Sequence, residues 1–383
     1  MLPEARRATP EAMHVAMVAP PWFEVPPVGY GGIESVVADL VDRLVERGHE
    51  VTLIGAGRHL TRASRFIAGF EEPPSQRLGT PIPEVLQAAA TAEALRELHV
   101  DLVHDNTLAG PLLACGRDVP TVVTVHGPAT GELGTYYSRL GRAVNLVAIS
   151  DSQRRLNPRL NWIGTVHNAT NVARFPFQAR KDDYVLWLGR FNPDKGAHLA
   201  ITAARTAGLR LVLAGKCIEA EERAYFTRHV EPDLGPGVEY VGEADVELKR
   251  ELLAHARALV FPIQWEEPFG MVMIEAMACG TPVVATRRGS VPEVVVHAKT
   301  GLVVDTVDDL PAALGSVADI DPAACRRHVE ERFDLDVMAA GYECLYQRLL
   351  AKALPQRDRA TVQAQDGTRF TPTTRHSERR PVA

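Results

Sequence analysis

The feature that most constrains the fold is an alternation of short β-branched runs with longer stretches of helical periodicity. This alternation occurs in two successive blocks of the sequence. Such alternation is typical of βαβ units, whose strands lie parallel in a helix-covered sheet. The first block has strand-like runs at 14–18, 51–54, 102–104, 122–125, 146–149 and 162–166, and the second at 184–188, 211–214, 239–241, 259–262, 283–285 and 302–304. We therefore predict an α/β protein with two parallel sheets.

The polar segment 168–183 separates the two blocks, because it contains Pro176 and has no periodicity. We place one domain at residues 13–172 and a second at 181–330. Residues 331–352, with Phe333, Tyr342 and Tyr346 at helical spacing, are predicted as a further helix. The Arg-, Thr- and Gln-rich residues 355–383 are predicted as a disordered tail.

Charge and cysteine content exclude several classes of protein. The chain has 42 Lys and Arg against 48 Asp and Glu, a net charge of −6, which argues against nucleic-acid binding through a general basic surface. The five cysteines form no CxxC pair, so we expect neither a disulfide scaffold nor a zinc site. We expect a cytoplasmic location. No apolar window is long enough to span a membrane, and no basic amphipathic helix supports membrane docking.

A glycine cluster, Gly29-Tyr30-Gly31-Gly32, stands between the first strand and a helix predicted over 32–47. Glycines at this position let backbone N–H groups approach an anion at the positive end of a helix. The cluster is not a dinucleotide fingerprint, since GxGxxG from Gly29 would require glycine where Glu34 stands. A flexible turn with no ligand is the alternative interpretation.

Two cations follow the first strand of the second block, in the sequence YVLWLGRFNPDKG. Open α/β sheets bind ligands at the carboxyl ends of their strands, where Arg190 and Lys195 would project. A pair of cations so placed suits a diphosphate. The alternative is a pair of solvated surface cations.

The segment FPIQWEEPFGMVMIEAMACGTPVVA (261–285) combines a strand end, an acidic loop and a helix start. The amides of Gly270, Met271 and Val272 would be free donors at that helix start. Glu267 and Glu275 lie eight positions apart, and carboxylates can accept hydrogen bonds from sugar hydroxyls. A capping acid and an exposed helix glutamate are the alternative for either residue alone.

Polar residues also follow strands of the first block. His126 comes directly after the run 122–125, so it is predicted at the edge of the crevice between the domains, although a structural histidine is the common alternative. His104-Asp105 and Ser150-Asp151 end neighbouring strands and are expected to support loops or contact an acceptor.

Together these segments resemble the family 4 retaining glycosyltransferases, which use nucleotide sugars and have the GT-B fold of two facing Rossmann-like domains. The resemblance runs from about Met13 to Leu350. Its most specific part is Glu267-Pro268-Phe269-Gly270 followed by Glu275, which matches the family's E-x7-E signature. The sequences GRFNPDKG, GYGGIE, RGHEV and GTPVVAT agree as well.

The resemblance implies roles for matching residues. Arg190 and Lys195 would hold the donor diphosphate, with the amides of Gly31 and Gly32 and those of residues 270–272 completing the cradle. Glu275 would bind the ribose, Glu267 the transferred sugar, and His126 the sugar near its anomeric carbon. The remaining donor contacts are placed at Gly242, Glu243 and Phe269, and residues 331–352 would cross back onto the first domain.

The family's front-face mechanism implies no metal and no other cofactor. The expected function is hexose transfer from a UDP- or GDP-sugar to a glycan, lipid-linked or small-molecule acceptor. The alternatives are a sugar-nucleotide epimerase, a phosphorylase, or a non-catalytic nucleotide-sugar sensor. Glu266 adds a second acid beside Glu267, so which of the two faces the sugar stays open.

Overall fold

The structure, a computed structural model, describes residues 12–29 and 31–366, with 353–366 described by their backbone alone. The strands within this range are β1 (His14–Val18), β2 (Glu50–Ala56), β3 (Arg65–Phe70), β4 (Leu102–Asp105), β5 (Thr121–Val125), β6 (Asn145–Ala148), β7 (Trp162–Thr165), β8 (Tyr184–Leu188), β9 (Arg210–Ala214), β10 (Val238–Tyr240), β11 (Ala258–Phe261), β12 (Val283–Thr286) and β13 (Gly301–Val304). The predicted strand-like runs all fall on strands.

The helices are α1 (Gly32–Glu46), α2 (Pro81–Ala94), α3 (Gly131–Leu140), α4 (Asp151–Leu156), α5 (Ala197–Thr206), α6 (Ala220–His229), α7 (Val246–His255), α8 (Met271–Ala278), α9 (Val291–Val294), α10 (Leu310–Ser316), α11 (Pro322–Arg332) and α12 (Leu335–Asp366). Among the described residues, no helix has both the length and the apolar character that crossing a bilayer requires.

Two parallel sheets form the two domains, as predicted. The first has the order β3-β2-β1-β4-β5-β6-β7 and the second β10-β9-β8-β11-β12-β13. Both orders reverse direction beside their first strand, which is the Rossmann-like arrangement. The connections that leave the two strands beside such a reversal run to opposite faces of the sheet, and a crevice forms between them at the carboxyl ends of these strands.

One strand, β3, was not predicted from the sequence. Strand β3 lies at the edge of the first sheet, and its residues are half-buried or exposed. The sequence RFIAGF contains a charged residue and Gly69, so it lacks the continuous β-branched character of a central strand. The first sheet therefore has seven strands, one more than the sequence predicts.

The final helix differs from its prediction at both ends. Helix α11 ends at Arg332, so Phe333 lies between two helices, and α12 begins only at Leu335. Helix α12 also continues past residue 352 to Asp366, through a stretch rich in Ala, Gln and Arg, which have high helix propensity. The part of the predicted tail after Asp366 lies outside the described residues.

Helix α12 packs on the first domain, as the resemblance implies for a crossover helix. Its Met338 and Leu345 belong to the same buried cluster as Val15 of β1 and Leu44 of α1. The second domain has its own core, centred on Trp187 and Phe191. A helix that follows the second domain in sequence thus completes the core of the first.

A buried polar network holds this helix against the sheet. His104 Nδ1 lies 2.6 Å from the Tyr346 hydroxyl, and its Nε2 lies 2.7 Å from Thr124 Oγ1, which is 2.8 Å from the Tyr342 hydroxyl. Burial lowers the pKa of His104 to about 3, and His126 nearby adds to the effect. His104 is therefore neutral and acts as a structural residue at physiological pH.

Glu34 is a buried acid in the first turn of α1, next to the glycine loop. Burial raises its pKa from 4.5 to about 7, while its own backbone N–H works in the opposite direction and the charge of Glu84 raises it further. Since the folded-state pKa lies above the unfolded value, the ionised carboxyl destabilises the fold as the pH rises from about 4.5 to about 7.

We therefore expect Glu34→Gln to raise the melting temperature at pH 8, where the wild-type carboxyl is charged, and to change it little at pH 4.5. A rise of about 2 °C or more at pH 8 corresponds to the order of 1 kcal/mol. Thermal unfolding at both pH values measures the effect. The matched control is Glu132→Gln, at an exposed glutamate in the first turn of α3, which should change the melting temperature by the same amount at both pH values. An equal shift for Glu34→Gln at the two pH values would contradict the assignment.

Candidate active site

One cavity of about 530 Å³ lies between the two domains, at the carboxyl ends of strands from both sheets. Its walls come from the segments that follow β1, β5, β6, β7, β8, β9, β10 and β11. Of the residues selected from the sequence, the cavity is lined by Gly31, Gly32, His126, Arg190, Lys195, Glu243, Glu267, Phe269, Gly270, Met271, Val272 and Glu275. Residues separated by up to 244 positions thus share one surface.

Two helix N-termini open into this cavity from opposite domains. Helix α1 begins after Gly31 and α8 after Gly270, and within the described residues neither N-cap makes a side-chain hydrogen bond to its helix. The first two amides of each helix therefore stay available to an anion, whereas the Glu34 amide contacts its own carboxylate and the Met273 amide donates to the Gly270 carbonyl. A Cβ on Gly31 would lie 2.7 Å from Pro27 Cβ, at a φ of +149°, so this tight loop requires glycine.

Arg190 and Lys195 both line the cavity, but they differ in their charged partners. Arg190 is exposed, and it has no ion pair with any residue that the structure describes. The Lys195 ammonium instead pairs with Glu267 Oε2 and lies 5.2 Å from the centre of the Trp265 ring. Lys195 and Glu267, predicted for the diphosphate and the sugar respectively, therefore contact each other directly.

Glu267, and not its neighbour Glu266, faces the cavity. Its Oε2 accepts a hydrogen bond of 3.0 Å from Trp265 Nε1 in addition to the Lys195 contact, and the residue is buried. Glu266 is exposed, and its carboxylate accepts a 2.8 Å hydrogen bond from the Gly289 amide outside the cavity. Of the two adjacent acids, Glu267 is therefore the one that lines the cavity.

Glu275 has a partner that the sequence analysis did not identify. Its Oε1 lies 2.8 Å from Lys249 Nζ, which projects from α7, and both residues line the cavity. Only about 12% of the Glu275 side chain is exposed, so solvent screens this ion pair less than it screens a surface pair. Lys249 fixes one carboxylate oxygen and leaves the other to accept hydrogen bonds.

His126 stands on the first-domain wall as a neutral imidazole. Burial lowers its pKa to about 4. Its Nε2 is 2.9 Å from Asn106 Oδ1, and since the Asn106 amide nitrogen donates to the Val18 carbonyl, the histidine is the donor in this pair. Nδ1 of the neutral ring is then an acceptor, which suits contact with a hydroxyl group.

Gly242 does not line the cavity, in contrast to the sequence prediction. Its carbonyl accepts a 2.9 Å hydrogen bond from the Gly215 amide, so it supports a neighbouring loop that does. Five lining residues with polar or charged side chains were not singled out: Ser35, Asn168, Lys216, Asp245 and Lys249. They lack a motif, and only the folded chain brings them to the cavity.

Sequence and structure comparisons define the class of this protein. The model for glycosyl transferases group 1 matches residues 171–321, and the model for glycosyltransferase family 4 matches residues 30–190. A glycogen synthase from Mycobacterium tuberculosis strain H37Rv is 30% identical over 374 residues, which covers 82% of this chain and 88% of the relative. The two matched regions and the two sheets define a glycosyltransferase of the GT-B fold.

Solved structures agree with this class. AviGT4, a glycosyltransferase involved in avilamycin A biosynthesis, is 29% identical with a TM-score of 0.67, covering 88% of this chain and 98% of that one. HepE from Anabaena in complex with UDP and glucose has a TM-score of 0.69 at 16% identity, with coverages of 88% and 100%, and shows the likeness of fold. The chain belongs to glycosyltransferase family 4.

Lys249→Met should weaken binding of UDP or GDP by about tenfold, because the partly buried Glu275 carboxylate loses its cationic partner and its fixed orientation. Lys249→Arg, which keeps the charge, should lose less. Isothermal titration calorimetry on the intact chain measures both. Arg210→Met is the control, since it breaks an exposed 3.5 Å pair with Glu239 outside the cavity. Unchanged affinity in Lys249→Met would contradict the role given to this pair.

Proposed function

We propose that this enzyme transfers a hexose from a UDP- or GDP-sugar to an acceptor hydroxyl with retention of the anomeric configuration. The observation that carries the proposal is the convergence, in one cavity, of phosphate-binding and sugar-binding groups from both domains. Two uncapped helix N-termini and two cations suit a diphosphate. Two carboxylates and a neutral histidine suit sugar hydroxyls.

The diphosphate is proposed to lie between the α1 and α8 N-termini. Its charge would there meet the first-turn amides of both helices, and Arg190 has no competing ion pair in the described residues. Lys195, which contacts Glu267 in the structure, would share its ammonium between this carboxylate and a phosphate oxygen. Charge on the leaving diphosphate would thus be stabilised by groups already in place.

Transfer is proposed to proceed on one face of the sugar. The bond between the anomeric carbon and the leaving phosphate oxygen breaks, the acceptor oxygen bonds to that carbon from the same side, and the acceptor proton passes to the leaving oxygen. In this scheme Glu267 orients the sugar hydroxyls, and His126 accepts a hydroxyl hydrogen bond through Nδ1. The protein supplies position and electrostatics, and neither a metal ion nor a base from the protein is required.

The donor class has a further source of support. HepE, whose fold this chain shares, was solved with UDP and glucose. The Lys249–Glu275 pair, which lines the same cavity, is proposed to meet the ribose diol, with the second Glu275 oxygen accepting its hydrogen bonds. The acceptor is proposed to be a glycan, a lipid-linked sugar or a small molecule that enters from the first domain.

Lys195→Ala should reduce affinity for the nucleoside diphosphate by about 3 kcal/mol, or roughly 100-fold, because the diphosphate loses a partly buried cation. Calorimetric titration with UDP and GDP measures the loss. The control is Arg210→Ala, which removes an exposed cation outside the cavity and should leave the affinity for UDP and GDP unchanged. Lys181 is not a suitable control position, because its ammonium donates hydrogen bonds to three oxygens within the second domain. Unaltered affinity in Lys195→Ala would refute the proposed phosphate contact.

The function itself is tested by donor turnover. A panel of UDP-, GDP- and ADP-sugars is incubated with the enzyme, with and without candidate acceptors, and products are followed by NMR. We expect one α-linked donor to be consumed, the new glycosidic bond or the released sugar to form first as the α anomer, and the rate to persist in EDTA. A β product would contradict retention, and loss of turnover in EDTA that returns with added metal would contradict the metal-free scheme.

A further inference from the structure

Residues 289–293, here called the bridging segment, lie directly behind the loop that carries Glu267. The Ser290 amide donates a 2.9 Å hydrogen bond to the Glu267 carbonyl, and Ser290 Oγ donates one of 2.7 Å to the Phe269 carbonyl. Ser290 is fully buried. A Cβ on Gly289, which has a φ of +52°, would lie 2.2 Å from the Glu267 carbonyl oxygen, so the contact leaves no room for a side chain.

The same segment reaches the other domain through Glu293. Its Oε2 accepts a 2.8 Å hydrogen bond from the Asp151 amide, and its Oε1 accepts one from the Ser152 amide, both at the start of α4. Arg155, on the next turn of α4, lies 3.1 Å from Oε1. Both carboxylate oxygens of Glu293 therefore bind the N-terminus of a first-domain helix. The negative carboxylate lies at the positive end of the dipole of that helix, where a negative charge is stabilised.

Helix α4 in turn holds the turn that carries His126. Gln153 is buried in α4, and its side-chain amide donates 2.7 Å hydrogen bonds to the carbonyls of Val125 and Gly127, the two neighbours of His126. Its Oε1 accepts from the Ile149 amide, which ties the helix to the end of β6. A movement of α4 would therefore move His126 with it.

His167 braces the junction from the connection between the domains. Its Nε2 is 3.3 Å from Glu293 Oε2, and its ring lies 6.0 Å from the Phe269 ring and 5.6 Å from the Phe333 ring, measured between centroids. Burial would raise the pKa of Glu293, but hydrogen bonds from His167 and the two α4 amides lower it overall. The carboxyl is therefore ionised at neutral pH.

We propose that Glu293 is a positioning residue that sets the distance and orientation between His126 on one wall of the cavity and Glu267 on the other. The path runs from Glu267 through Ser290 to Glu293, and then through α4 and Gln153 to His126. Glu293 lies outside the cavity, so it acts through these contacts and not on substrate. This inference rests on the proposed function, because it assumes that both walls hold one sugar during transfer.

The test is the isosteric substitution Glu293→Gln. Glutamine has one acceptor oxygen, so one α4 amide would face the N–H donors of its side chain. Of the groups proposed to hold UDP or GDP, only the amides at the start of α1 belong to the first domain, so the dissociation constant should stay within about twofold of wild type. The turnover number should fall at least tenfold, since the two walls are no longer aligned. Calorimetry and steady-state kinetics on the intact enzyme give the two quantities.

Two further variants separate alignment from loss of fold. Arg287→Gln removes an exposed 2.6 Å ion pair with Asp305 beside the bridging segment, and it should match wild type in both quantities. Glu293→Asp keeps the charge on a shorter side chain, so it should lose less turnover than Glu293→Gln, and it serves the same comparison if the glutamine variant does not fold.

Each result bears on the inference. A turnover number within twofold of wild type in a folded Glu293→Gln enzyme overturns it, as does a parallel loss of nucleotide affinity and turnover, which would indicate damage to the nucleotide site. A loss confined to turnover supports it. If the wild-type enzyme consumes no donor, the proposed function fails and this inference falls with it, whereas an active wild type with an unaffected variant contradicts this inference alone.

Discussion

The structure depends on one constraint: strands that run parallel bring all their carboxyl ends to the same edge of a sheet. In this chain two such edges face each other, and a cavity of about 530 Å³ lies between them. Each edge contributes a helix whose N-cap residue is a glycine, which has no side chain to cap the first amides. Positive backbone dipoles therefore approach the cavity from both sides before any side chain is considered.

The cavity is lined by equal numbers of positively and negatively charged side chains. Four cations, Arg190, Lys195, Lys216 and Lys249, line it together with four acids, Glu243, Asp245, Glu267 and Glu275. The Lys195–Glu267 and Lys249–Glu275 pairs each place a carboxylate that would otherwise repel a diphosphate next to a cation that attracts it. A site built in this way can hold both an anion and the hydroxyls of a sugar.

Much of the fold and part of the site followed from local patterns in the sequence. Central parallel strands are short runs of mostly buried apolar residues, so they were found, whereas the half-exposed edge strand β3 with Gly69 was not. Arg190, Glu267 and Glu275 stand in recognisable motifs next to strand ends. Lys249 stands in the charged helix VELKRELLAH, where nothing distinguishes it from solvated neighbours. The partners of the Glu293 carboxylate lie at least 126 positions away in the sequence.

The central claim is that both domains bind one diphosphate, and a crystal structure of the enzyme with UDP or GDP tests it most directly. The account predicts that the phosphates lie within hydrogen-bond distance of the amides at the start of α8, face the start of α1, and contact Arg190 or Lys195. A diphosphate bound outside this cavity, or touching neither helix N-terminus, would contradict it.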